Sequence, residues 1–139
     1  MYQIVKGMYY VHSKQIAHRD LKPENVLMSK EGYLNICDFG CSKVIDPNGK
    51  NTPYMMSRYY RAPEMILGIS KYSVAIDIWS VGCIMAELAT LDPIFVGKNE
   101  GDQLFAIMKV MGSFSLEEEK KIKKRVAFEP QLFEAFRGF

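Results

Sequence analysis

The sequence predicts a mostly α-helical fold that carries a small β-ribbon. Three observations predict it. Apolar residues Ile4, Val5, Met8, Tyr9 and Val11 recur with a helical period near the start of the chain. The stretch from Ser73 to Ala89 is apolar on nearly every face of a helix, the pattern of a buried central helix. Between them, the short apolar runs Val26-Leu27-Met28 and Leu34-Asn35-Ile36 flank Ser29-Lys30-Glu31-Gly32, which reads as a two-stranded ribbon around a glycine turn.

Taken in order, the first helix has no capping residue ahead of it, so the chain is expected to open inside a helix and to be truncated there. Residues 40–63 hold Pro47, Asn48, Gly49, Asn51 and Pro53 and are expected to form one long loop, a length that usually signals function or mobility. After the buried helix, Leu104, Ile107, Met108 and Met111 line one face of an amphipathic helix, with Asn99 or Asp102 as its cap. In the charged run 117–125, Glu117 with Lys121 and Glu119 with Lys123 stand at favourable helical spacing, which predicts a solvated helix face.

The 139 residues are 48% apolar and 24% charged, which fits a core-forming chain and not a disordered one. A net charge of +2 is too weak to argue for nucleic acid or a membrane surface as partner. Cys37, Cys41 and Cys83 are an odd set without a CxxC pair, which predicts reduced thiols. There is no apolar stretch of bilayer length and no signal-peptide layout at the start, so a cytoplasmic or nuclear location is expected.

The chemistry concentrates in His18-Arg19-Asp20-Leu21-Lys22-Pro23-Glu24-Asn25, in Asp38-Phe39-Gly40 eighteen residues after Asp20, and in Ala62-Pro63-Glu64. Phosphoryl transfer needs the phosphates held, their charge offset by magnesium, and the incoming hydroxyl aimed in line. Asp20 is the natural group to accept and orient that hydroxyl. Asn25, across a short loop that Pro23 helps fix, offers a hard amide oxygen, and Asp38 an anionic one, to the same metal region. Lys22 is placed to offset charge on the transferred phosphate.

These three motifs, in this order and spacing, resemble the C-terminal lobe of a eukaryotic serine/threonine protein kinase, over residues 1 to about 112. The resemblance implies ATP and Mg as cofactors and protein Ser or Thr as substrate. It further implies that Leu27 forms the floor under adenine and that His18 and Phe39 stack in a regulatory spine. Asp77, at the start of the buried helix, is implied to hold the backbone of the 18–25 catalytic loop, with an ordinary helix cap as its plain alternative.

Within that superfamily, Ser57-Arg58-Tyr59-Tyr60-Arg61-Ala62-Pro63-Glu64 is similar to the group of cyclin-dependent, mitogen-activated and glycogen synthase kinases. Ile36-Cys37-Asp38-Phe39-Gly40-Cys41-Ser42-Lys43, Pro93-Ile94-Phe95-Val96-Gly97 and Asp102-Gln103-Leu104 resemble glycogen synthase kinase-3, the preferred reading. That resemblance implies substrates primed by a phosphate, which Arg19 and Lys43 would bind, and scaffold proteins as further partners. Thr52-Pro53-Tyr54 instead resembles the dual phosphorylation motif of stress-activated mitogen-activated kinases, the alternative. Under either reading, a phosphate on Tyr54 within the 38–64 activation segment is expected to pair with Arg58 and Arg61 and order the loop, with an ordinary surface-loop tyrosine as the plain alternative. Ser57 is implied to hydrogen-bond Asp20 and Lys22.

The chain departs from the family in lacking the glycine-rich loop and the ATP-pairing lysine strand of the N-terminal lobe. A fragment inactive by itself is therefore expected, with a non-catalytic, partner-binding kinase fragment as the alternative. Glu64 is expected to be an unpaired, partly buried carboxylate. From 113 to 139 the likeness is poor, and Phe128, Phe133, Phe136 and Phe139 are expected to pack onto further core or mark a partner surface.

Overall fold

A computed structural model describes residues 1–46, 49, 51, 52, 57–115, 117 and 120. The elements run α1 (Tyr2–Ser13), β1 (Ile16–Ala17), β2 (Val26–Met28), β3 (Leu34–Ile36), β4 (Lys43–Val44), α2 (Pro63–Ile66), α3 (Ala75–Thr90) and α4 (Glu100–Met111). Short 3-10 turns occupy Pro23–Asn25, Phe39–Cys41 and Arg58–Tyr60. The mostly helical fold with a small antiparallel ribbon is thus as the sequence predicts.

Helix α1 buries Ile4 and Met8, one turn apart on one face, whereas Val5 and Tyr9 of the same apolar series face solvent. The side chain of Gln3 ties the helix to the ribbon: Nε2 donates to the Gly32 carbonyl (3.1 Å) and Oε1 accepts from the Leu34 amide (2.8 Å). Gly7 lets the helix approach the ribbon, since a Cβ there would lie 3.1 Å from Ile36 Cδ1. Strands β2 and β3 pair antiparallel, with Val26 opposite Ile36 and Met28 opposite Leu34. Their turn relies on Gly32 at φ +84°, a left-handed conformation that glycine adopts without steric cost.

The described residues among 40–63 include a strand where one long loop is expected. Lys43 and Val44 form β4, which pairs antiparallel with β1 (Ile16 opposite Val44, Ala17 opposite Lys43). Two-residue strands are too short for periodicity to reveal, and the Pro and Gly that follow masked this one.

Helix α3 also differs from its sequence pattern. Ile76, Asp77, Ser80, Val81, Cys83 and Ile84 are buried, but Ile78, Met85 and Leu88 on the other faces are more than half exposed. Composition alone says that a helix has several apolar faces, not how many of them are covered. The helix ends at Leu91 in the left-handed conformation (φ +67°), whose amide donates to the Glu87 carbonyl. Helix α4 buries Leu104, Ile107 and Met108, and leaves Met111 exposed. Of the two cap candidates Asn99 is the cap: its Oδ1 accepts from the Asp102 amide at 2.8 Å.

The main core joins Ile4, Met8, Leu21, Ile66, Ile84 and Leu104 across all four helices. A second cluster, including Ala17, Ile45, Ala62, Met65 and Ile76, sits under the β1–β4 ladder. The three cysteines are free thiols. No helix among the described residues is long and apolar enough to cross a membrane. The expected ion pairs in 117–125 and the tail phenylalanines lie outside the described residues.

Candidate active site

Asp77 organises the site. Only 1% exposed, it sits in the first turn of α3, yet it caps nothing there. Its carboxylate accepts from the backbone amides of His18 (Oδ2, 2.8 Å) and Arg19 (Oδ1, 2.9 Å), and its Oδ2 meets His12 Nε2 at 2.8 Å. A buried carboxylate requires donors, and these supply them from two elements. Arg19 takes up φ +68°, uncommon for a residue with a side chain, and its amide bond to Asp77 holds it there.

His18, fully buried, sets the next layer. Its Nε2 bonds the Cys37 carbonyl at 2.9 Å; because a carbonyl only accepts, that nitrogen carries the proton. Nδ1 is then free to accept from the Asp20 amide at 3.2 Å. The His18 and Phe39 rings meet edge to face, centroids 4.8 Å apart.

Asp20, Lys22 and Asn25 converge on this frame. Lys22 Nζ lies 3.1 Å from Asp20 Oδ2 and donates to Ser57 Oγ at 3.0 Å. The hydrogen bond to Asp20 holds the lysine pKa above its ordinary value, against the opposing effect of burial, with help from the charges of Asp20, Glu24 and Asp38. Asn25 Nδ2 donates to the Asp20 carbonyl (2.8 Å) and, more weakly, to Asp20 Oδ2 (3.4 Å). That orientation leaves Asn25 Oδ1 as the outward acceptor. Asp38 is delivered by the ribbon: the Cys37 amide donates to the Asn25 carbonyl at 2.9 Å, which extends the β2–β3 register and sets Asp38 beside the loop. Its carboxylate is exposed, and its Oδ1 accepts from the Gly40 amide (3.3 Å).

Asn25 Oδ1 and the Asp38 carboxylate therefore fit a hard cation that keeps other oxygen ligands, such as magnesium on a polyphosphate. Among the described residues no group of three or more His, Cys, Asp or Glu could hold a metal ion by itself. Leu27, opposite Asn35 on β2, is 55% exposed and offers an apolar surface on the same ribbon.

The remaining sequence candidates are spread around this centre. Arg19 reaches back over the segment after Asp38: Nε donates to the Cys41 carbonyl (2.6 Å), and Nη1 to the Thr52 carbonyl and Tyr72 Oη (both 3.2 Å). Lys43 lies opposite Ala17, two residues from Arg19. Thr52 is exposed, and Tyr54 lies outside the described residues. Among the described residues, Arg58 and Arg61 hold different partners. Arg58 Nη1 donates to the carbonyls of Gly97 (3.0 Å) and Lys98 (2.7 Å), and Arg61 Nη1 pairs with Glu100 at 3.0 Å. Burial lowers the Arg61 pKa, with Glu100 opposing.

Glu64, in α2, is half-buried at the rim of an apolar hollow of about 460 Å³ lined by Ile78, Trp79, Cys83, Ile94, Phe95 and Met111, and it has no ion pair among the described residues. Sequence reading missed His12 and Tyr72, lone polar residues with no motif around them, whose partners only the fold brings near. Gln103 stood in the sequence only as part of the Asp102-Gln103-Leu104 likeness, with no role given to it.

Comparison with known proteins places these motifs in context. The protein kinase domain family model matches residues 1–134. The chain is 43% identical to probable serine/threonine-protein kinase glkA of Dictyostelium discoideum over 131 residues, 94% of this chain and 28% of that protein. It is 47% identical to mitogen-activated protein kinase 10 of Arabidopsis thaliana over 118 residues, 85% of this chain and 30% of that one. It is also 47% identical to protein kinase gsk3 of Schizosaccharomyces pombe over 121 residues, 86% of this chain and 31% of that one. The chain spans less than a third of the length of each of these relatives.

Proposed function

The chain belongs to the protein kinase family, in its serine/threonine branch, and from that premise we propose that it forms the phosphate-transfer side, the C-terminal lobe, of an ATP- and magnesium-dependent enzyme that phosphorylates protein Ser or Thr. One observation carries the reading: Lys22 and Asn25 both bond Asp20, and the ribbon sets Asp38 alongside. Asp20 orients the substrate hydroxyl, whose oxygen bonds the γ-phosphorus as the bond to the bridging oxygen of ADP breaks; the hydroxyl proton passes to Asp20. Lys22 offsets charge on the phosphoryl oxygens in flight. Asn25 Oδ1 and Asp38 would hold a magnesium ion, which would supply charge to offset that of the nucleotide phosphates.

The preferred substrate class is a protein already carrying a phosphate, bound near Arg19 and Lys43 in the manner of a glycogen synthase kinase-3-like enzyme. Phosphorylation of Tyr54 sets its activity, a regulation that the Thr-Pro-Tyr sequence shares with mitogen-activated kinases. The 139 residues contain no glycine-rich loop to cover the phosphates, so by themselves they transfer phosphate poorly. The test uses the full-length protein that contains these residues. Asp20→Asn is expected to lower peptide phosphorylation about 1,000-fold with little change in melting temperature. An unchanged rate would overturn the assignment.

A further inference from the structure

Gln103 is completely buried, four residues into α4 and outside every catalytic motif. A core position asking only for shape would take leucine; a buried carboxamide is costly unless both of its ends are bonded. Here both are. Oε1 accepts from the Gly97 amide at 2.9 Å, and Nε2 donates to the Phe95 carbonyl at 3.1 Å. The side chain thus complements two backbone groups of one turn, and the turn lies so close that a Cβ on Gly97 would clash with the Gln103 backbone nitrogen.

The turn has a second attachment, on the side facing the active site. Its next two carbonyls, of Gly97 and Lys98, are the acceptors for Arg58. Arg58 opens the 3-10 turn that directly follows Ser57, and Ser57 Oγ accepts from Lys22 Nζ, which pairs with Asp20. The far end of that 3-10 turn is fixed independently, through the Tyr60 carbonyl and Ser80 Oγ at 2.8 Å. Among the described residues, the near end is held by Arg58 and by the Ser57–Lys22 bond itself.

We propose that Gln103 is a positioning residue for phosphoryl transfer: its carboxamide fixes the 95–98 turn, that turn fixes Arg58, and Arg58 sets the Ser57 hydroxyl against Lys22. The proposal rests on the functional reading above. Glutamate at 103 keeps the acceptor for Gly97 and loses the donor to Phe95; leucine loses both.

The experiment has two arms on the full-length protein, one of which does not need activity. By NMR, Gln103→Leu is expected to speed exchange of the Gly97 amide about tenfold, the scale of one lost hydrogen bond, and to shift the Ser57 and Lys22 signals. Gln103→Glu sets a carboxylate oxygen against the Phe95 carbonyl in a buried site and is expected to disturb the same signals at least as much. In kinetics, Gln103→Leu is expected to lower peptide kcat/KM about tenfold in the native background, but less than about twofold when Arg58→Ala is already present. Multiplicative effects of the two substitutions, or a disturbed Gly97 amide with Ser57 and Lys22 unmoved, would reduce Gln103 to a local packing role and overturn the proposal. If the unsubstituted protein transfers no phosphate, the kinase reading falls, and the NMR arm alone decides whether Gln103 governs the Ser57–Lys22 contact.

Discussion

The two faces of helix α3 hold carboxylates in opposite circumstances. On one face, Asp77 is fully buried and meets the amides of His18 and Arg19 and the ring of His12. On the other, Ala75, Ile78, Trp79 and Gly82 line the apolar hollow that Glu64 borders. There the Trp79 indole N–H is buried without a hydrogen-bond partner among the described residues, and the Glu64 carboxylate has no ion pair among them. The 18–25 loop is thus determined several times over by directed polar bonds, whereas the hollow is shaped by apolar contacts such as the stacked Trp79 and Phe95 rings, centroids 5.5 Å apart. A face built on directed bonds is expected to fail abruptly when one group is removed, and a face built on contact to tolerate polar change.

The largest expected effect follows from the first face. Asp77→Ala leaves buried donors without their acceptor and is expected to cost about 4 kcal/mol of stability in urea unfolding. A loss under about 1 kcal/mol would mean that the loop conformation is held elsewhere.

An intermediate effect comes from Cys83, whose side chain lies between the core and the hollow. Burial pushes its thiol from 9.0 up to about 12. The unfolded chain ionises first, so above pH 9 it binds fewer protons than the folded one, and stability falls as pH rises from about 9 to about 12. Cys83→Ala is expected to make that fall shallower when unfolding is compared at pH 8 and pH 11. Part of the slope persists in the variant, because burial and the bond to Glu87 raise the Tyr60 phenol in the same direction. An unchanged slope would show that the thiol ionises as freely in the folded protein as in the unfolded one.

The smallest effect is expected on the second face. Glu64→Gln removes a charge that no described residue pairs, and is expected to change stability by less than about 0.5 kcal/mol. A loss of 2 kcal/mol or more, by the same urea titration, would reveal a counter-ion and erase the contrast with Asp77.

These contrasts also explain what was legible in the sequence. The ribbon was legible because its turn chemistry and alternating runs are local. The residues of the candidate site were legible because Asp20, Lys22 and Asn25 fall within one short loop whose chemistry needs them together. The β1–β4 ladder was not, since two-residue strands leave no period. The exposed face of α3 was not, since an apolar side chain looks the same whether covered or bare. His12 was hidden for a third reason: its partner is 65 residues away, and nothing in a single polar side chain names its partner. For Gln103 the motif was legible but not its bonds to Gly97 and Phe95.

The central claim is that Asn25 and Asp38 hold one nucleotide-bound cation beside Asp20, and paramagnetic broadening tests it most directly. Manganese(II) with ATP, added to the full-length protein, is expected to broaden the amide signals of all three residues, and the broadening to vanish in Asp38→Asn. Broadening confined to other parts of the chain, or unaffected by that substitution, would contradict the account.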